Sequence, residues 1–315
     1  PRPHPREHPG TPHGGRRRGL RAVRHRDVPD ARRLALSVLR LQDGLLRVVN
    51  SSAHESLDVD AIDRWIDALL ERHAAALTRP ELLRAIRALS VRYVEDRARL
   101  PERSALDTAG KRAAFACYYT PLHVLTVRGI LAGLKAAGVR EVFDLGCGTG
   151  AASIAWSLAA ASTTRPRRTG VDVHPWALEE LRWNCRWFDL RCTTRRGSLV
   201  AFVSAALRSR LDLPRTVWTA AWSINELLAA DRDRLLPALL DLHTRGAGLL
   251  VIEPLSRRAI PWWDAWREAL EPQGVRPDEW KLPFRPPEPL AELDDAAGFR
   301  RDHLGARSLW LPPAG

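Results

Sequence analysis

The chain predicts an α/β fold: a doubly wound, mostly parallel sheet preceded by an all-helical N-terminal extension. Three observations predict it. A short apolar strand breaks into a glycine turn and then a helix at Val142-Phe143-Asp144-Leu145-Gly146-Cys147-Gly148-Thr149-Gly150. Beyond that point, β-type apolar runs alternate with amphipathic helical runs. Before it, from about residue 29, apolar side chains recur at helical spacing. The expected division is a basic tail at 1–28, a helical domain at 29–110 and the sheet domain at 111–315.

Composition is compatible with this plan. A chain of 315 residues, 45% hydrophobic and 27% charged, is long enough for one full α/β domain and a smaller unit. No apolar run reaches the ~20 residues needed to cross a bilayer, and no membrane role is expected. The N-terminus lacks the apolar stretch of a secretory signal. Cys117, Cys147, Cys185 and Cys192 show no C-x-x-C spacing. They are expected to be free thiols in a cytoplasmic protein with no metal site. Net charge is +12, and residues 1–27 hold eight arginines against Glu7 and Asp27, a net of +6. That tail, rich in proline and glycine, is expected to be disordered. It is either an arm for RNA phosphates or a solvated extension.

Asp30 opens a helix through about Val49. A second spans about 59–77, with Ile62, Trp65, Ile66, Leu69 and Leu70 on one face, and a third spans 80–98 with proline at its first position. Arg84, Arg87, Arg92, Arg97 and Arg99 form either a nucleic-acid face or the solvated side of these helices. In Phe115-Ala116-Cys117-Tyr118-Tyr119-Thr120-Pro121-Leu122-His123, Thr120 reads as an N-cap and Pro121 as the first residue of a helix to about Ala137. The aromatics before it are either a lid over a ligand or core packing, and His123 reads as a packing residue.

A strand that ends in glycines ahead of a helix presents bare N–H groups to a ligand. Gly146, Gly148 and Ala151 also satisfy the dinucleotide pattern G-x-G-x-x-G/A. Asp144 discriminates: a carboxylate two residues before the first glycine repels a pyrophosphate but suits the ammonium and sulfonium of S-adenosylmethionine. The block Asp-Leu-Gly-Cys-Gly-Thr-Gly resembles the first motif of class I S-adenosylmethionine-dependent methyltransferases. The resemblance implies a Rossmann-like, seven-stranded sheet. Tyr119-Thr120-Pro121 resembles the cofactor-contacting element before the glycine loop in nucleic-acid amino-methyltransferases.

The second strand, 169–173, carries an acid near its end, Asp172, 22 positions past Gly150. A carboxylate there can accept hydrogen bonds from both ribose hydroxyls. A helix opens at His174-Pro175-Trp176 and runs to about Phe188. The third strand and its turn, 191–198, end in Gly197-Ser198, where the family usually places an acid for the adenine amine. The fourth strand, Thr216 to Trp222, leads into Ser223-Ile224-Asn225-Glu226-Leu227. No Pro-Pro-aromatic motif for base amines and no cysteine nucleophile follows it. Asn225 can orient an amine or carbonyl. Glu226 is either a base or a helix-start carboxylate. A helix at 229–245 precedes the strand Gly248 to Ile252, which ends in Glu253, a third candidate for the acceptor side. Trp262 and Trp263 open the next helix and could stack on bases. Residues 275–284 and 306–311 supply an antiparallel closing pair.

Cofactor contacts are thus expected from Tyr119, Asp144, Leu145, Gly146, Cys147, Gly148, Gly150, Asp172, Val173, Ser198 and Ser223, and catalysis from Asn225, Glu226 and Glu253. The chain also resembles bacterial relatives of the mitochondrial small-ribosomal-subunit methyltransferase-like proteins. That resemblance rests on Arg87-Ala88-Leu89-Ser90 with Arg92-Tyr93, Tyr118-Tyr119-Thr120-Pro121, Asn225-Glu226-Leu227 and Ile252-Glu253-Pro254. The mitochondrial members' cysteine clusters are missing. The resemblance implies methylation of RNA, ribosomal RNA first, or work on the small subunit. A small-molecule acceptor and a non-catalytic cofactor-binding assembly factor are the alternatives.

Overall fold

The computed structural model describes residues 56–74, 77–95, 106–159, 165–299 and 301–314. The basic tail and the helix from Asp30 lie outside them.

α1 (Ser56–Ala74) and α2 (Arg79–Glu95) are amphipathic. Ile62, Trp65, Ile66 and Leu69 of α1, and Leu82, Ile86 and Leu89 of α2, are all at most 3% exposed. Glu81 caps α2 by accepting from the Thr78 N–H (2.8 Å) and hydroxyl (2.7 Å), one half of a capping box.

The helix expected to begin at Thr120 begins earlier. Thr108 caps α3 (Ala109–Ala114) by accepting from the Lys111 N–H. The chain continues through a π-turn, Phe115–Tyr119, into α4 (Thr120–Leu134) without leaving helical dihedrals. Pro121 is tolerated there because the widened turn removes the need for its missing N–H. Thr120 is no cap: its hydroxyl bonds to the Phe115 carbonyl (3.0 Å) and to Thr149 Oγ1 (2.7 Å). α4 stops at Leu134, with Lys135 left-handed at φ 54°.

From there strand and helix alternate: β1 (Glu141–Leu145), α5 (Ala151–Ala159), β2 (Arg167–Asp172), α6 (Pro175–Trp187), β3 (Thr193–Arg196), α7 (Leu199–Arg208), β4 (Thr216–Ala221), α8 (Ala229–Thr244) and β5 (Gly248–Glu253). Then come α9 (Trp263–Leu270), β6 (Arg276–Pro283), α10 (Glu288–Ala297) and β7 (His303–Leu311). Sheet order is β3-β2-β1-β4-β5-β7-β6. The first five strands pair in parallel, and β7 runs antiparallel to both β5 and β6. This is the Rossmann-like seven-stranded sheet the sequence predicts, with helices before it.

Alternation along the central strands sorts side chains into two cores. Val142, Val217, Leu250 and Ile252 join α1, α2, α4 and α5 on one face. Phe143, Leu145, Trp218, Leu249 and Val251 join α7, α8 and α9 on the other. Helices α1 and α2 therefore share a core with the sheet. Trp263, at 5% exposed, belongs to the second core. Burial takes it out of any base-stacking surface and leaves only half-buried Trp262 at that position.

Candidate active site

The strand order reverses between β1 and β4, so a crevice is expected at their carboxyl ends. Most of the residues picked out from the sequence converge there. The glycines of the loop after β1 divide by what they face. A Cβ on Gly146 would lie 2.4 Å from Ser223 Cβ, and one on Gly150 2.3 Å from Leu181 Cδ1. At those two the protein packs close, and their φ of 65° and 92° independently requires glycine. A Cβ on Gly148 would meet only Phe115, at 3.9 Å, so its φ of 50° and an open approach remain as the reasons for glycine.

Asp172 ties this loop to the second strand. Its Oδ2 accepts from the Gly148 N–H (2.9 Å) and its Oδ1 from the His174 N–H (2.8 Å). Burial raises its pKa against those two bonds. Val173 beside it is 65% exposed. Gly197 donates to the Asp172 carbonyl (3.0 Å) and has open space where a Cβ would stand. Ser198, the N-cap of α7, is exposed. Together these lie at the ends of β2 and β3, one exposed apolar side chain beside one half-buried carboxylate.

Asp144 sits lower than the sequence suggests. It is 1% exposed, and its Oδ2 accepts from the Ser153 N–H (3.0 Å) and hydroxyl (2.7 Å). Burial pushes its pKa up to about 6 despite those bonds. It thereby caps α5, the helix that the loop enters. Ser223 is a brace: its hydroxyl donates to the Leu145 carbonyl (2.7 Å). Cys147 is buried, and burial pushes its thiol well up. Tyr119 is 8% exposed and directs its hydroxyl toward the Ile86 carbonyl at 3.5 Å, into the helical layer.

On the acceptor side the chain leaves β4 abruptly. Trp222 takes φ 55°, a left-handed conformation costing roughly 1–2 kcal/mol for a bulky residue. Its N–H is held by the Ile252 carbonyl (2.8 Å), and its ring stacks on His123 at 3.9 Å between centroids, 12° between planes. The following 3-10 turn, Ile224–Glu226, is fixed from below. Glu253, fully buried, accepts from the Asn225 N–H (3.1 Å). Asn225 is half-buried and Glu226 exposed. Of the three acceptor candidates, two face outward and Glu253 supports them.

Sequence reading missed the residues that hold the loop. Asn184 on α6 donates to the Thr149 carbonyl (3.0 Å) and accepts from the Trp65 indole (2.8 Å), while Thr149 bonds Thr120. Arg72 and His73 grip buried Glu180 one turn away at 2.9 and 2.7 Å. Nothing in local sequence relates residues 65, 184 and 149. Phe115 and His123, by contrast, stand in the aromatic run just before and within the predicted helix start.

No protein-family profile matches the chain, and no curated protein matches it. Among solved structures, the chain is similar to a precorrin 8W decarboxylase of Methanobacterium thermoautotrophicum: 18% identity, 59% of this chain, 88% of the other, TM-score 0.38. The methyltransferase domain of a bacterial Hen1 gives 18%, 62%, 98% and 0.40. Pyrococcus horikoshii TYW2, solved with MeSAdo, gives 12%, 59%, 61% and 0.34. Likenesses of this size concern the fold alone.

Proposed function

We propose that the chain is an S-adenosylmethionine-dependent methyltransferase acting on RNA, ribosomal RNA foremost. The observation that carries the cofactor assignment is Asp172. Its two oxygens already hold the Gly148 and His174 N–H groups, and each has a second lone pair to offer a ribose hydroxyl. Exposed Val173 and open Gly197 leave room for a flat adenine, with Ser198 at its edge. Gly148 allows close approach to the methionine end. Buried Asp144 places negative charge beneath that loop, which favours a cation above it.

When bound, the cofactor supplies an electrophilic methyl on sulfur. The protein's share is placement and electrostatics. Asn225 would orient the acceptor through its amide, Glu226 would take its proton, and Glu253 would hold both on their turn. An RNA acceptor is favoured by the outward position of Asn225 and Glu226, open to a large partner, and by the net charge of +12. A non-catalytic cofactor-binding factor of the small ribosomal subunit is the second reading. It is favoured by the full burial of Glu253, whose Oε1 accepts from a backbone N–H.

One experiment separates these readings. Labelled cofactor is offered with small-subunit ribosomal RNA, and separately with a small-molecule extract. Label in the RNA supports the proposal, and label only in the extract overturns the acceptor. Calorimetric binding without any transfer gives the second reading. No binding removes the cofactor assignment.

A further inference from the structure

Three half-buried rings run from the glycine loop to the acceptor turn. Phe115 lies 3.9 Å from where a Cβ on Gly148 would stand, on the open side of that residue. His123, in the first turn of α4, meets Phe115 edge to face at 6.2 Å between centroids. Trp222 then stacks on His123 at 3.9 Å, 12° from parallel. It directly precedes Ser223, which packs on Gly146, and Asn225 follows three residues later. Its N–H bonds the carbonyl of Ile252, the residue ahead of Glu253, which holds Asn225. Trp222 therefore stands where the cofactor-type loop, β4 and the acceptor turn meet. Its backbone is unusual for that place. A left-handed φ of 55° suits glycine and is costly for a side chain as large as an indole. Such a conformation persists only where its surroundings fix it, here the Ile252 bond and the His123 stack. It breaks the alternation of the strand: Ala221 and Trp222, though consecutive, both pack against the core that holds α4. The strain turns the indole toward the row of rings.

We propose that Trp222 is the platform on which a flat acceptor stacks, and that the acceptor is an unpaired nucleobase of RNA. The proposal rests on the RNA reading above and sharpens it. An indole offers a broad, rigid π-face, and a base stacked on it lies parallel with its edge free. His123 already has Phe115 and Tyr119 around it, each 6.2 Å away, so a further ring joins the stack at Trp222. A base inside a duplex has both faces covered by its neighbours. The target nucleotide therefore leaves its helix, or stands in a loop, to reach the indole. Asn225, on the turn that follows, is then the amide that meets the edge of the stacked base.

The test irradiates the full chain with ultraviolet light in the presence of small-subunit ribosomal RNA and S-adenosylhomocysteine, then maps the linked peptides. The expected cross-link joins a nucleotide to Trp222 within the tryptic peptide 216–232, and Trp222→Leu removes it. With labelled S-adenosylmethionine, Trp222→Leu should transfer methyl to the RNA about tenfold more slowly or worse. Its affinity for S-adenosylhomocysteine by calorimetry should keep the wild-type value, and Trp222→Tyr should recover most of the lost rate. A complementary DNA strand annealed across the labelled nucleotide should stop transfer. Label in the RNA without a cross-link at Trp222, or with Trp222→Leu as fast as wild type, overturns the platform and leaves the RNA reading standing. Label confined to a small-molecule extract overturns that reading, and the platform for a nucleobase of RNA with it.

Discussion

Asp144 and Asp172 are both carboxylates at strand ends, yet their surroundings give them different work. Asp172 is half-buried at the rim and should meet ligand directly. Asp172→Ala should weaken S-adenosylmethionine binding by two orders of magnitude or more in calorimetry, and unchanged affinity would sink the ribose assignment. Asp144 is sealed in with Ser153, and its pKa near 6 stands above the 3.8 of an unfolded aspartate. Between those values the folded chain binds more protons than the unfolded one. Stability is therefore gained at low pH and lost as pH rises through 6, by about 3 kcal/mol for this group. Asp144→Asn keeps an acceptor for Ser153 and cannot ionise. Urea unfolding from pH 4 to 7 should show the wild type losing stability relative to this variant, and parallel curves would refute it.

Among the elements, α6 and α1 matter most for the site, because α6 meets the glycine loop from behind and α1 braces α6. The hydrogen-bonded chain Trp65–Asn184–Thr149–Thr120 crosses from α1 through α6 and the loop to α4. Asn184→Leu removes one donor and one acceptor from a buried site. It should cost about 2–4 kcal/mol by leaving the Trp65 indole and the Thr149 carbonyl without partners. It should also weaken cofactor binding. Chemical denaturation and calorimetry on one preparation check both, and a neutral variant would show that the loop holds itself. The amphipathic face of α1 was legible from Ile62, Trp65, Ile66 and Leu69. The π-turn at Phe115–Tyr119 was not, because Thr120-Pro121 satisfies the usual chemistry of a helix start. Only the packing of Thr120 against Thr149 shows that the helix is already under way.

Across the whole molecule, α1 and α2 and one face of the sheet form one apolar core, so the sheet should depend on them. A chain beginning at residue 106 would expose Ala114, Ala116, Cys117 and Tyr118, all at most 1% exposed in the intact protein. It should lose cooperative thermal unfolding by circular dichroism, and an unchanged transition would refute that dependence. The net charge of +12 makes a separate prediction for the proposed RNA acceptor. Affinity for RNA should fall steeply, by about tenfold or more, between 50 and 200 mM salt. Flat salt dependence would count against an electrostatic RNA surface.

Local chemistry on its own determined the sheet and its cofactor-type loop. A carboxylate, alternating glycines and strand–helix alternation are short-range patterns, and short-range patterns survive in a bare sequence. It also determined that the second strand would carry an acid, Asp172, near its end. Tertiary structure decided which groups face outward. It buried Asp144 and Glu253 as supports, left Asn225, Glu226 and Val173 accessible, and joined residues 65, 120, 149 and 184 into one brace. The reason is that burial and long-range hydrogen bonding depend on which surfaces the fold presses together. Two aspartates at strand ends look alike until the neighbouring helix covers one of them.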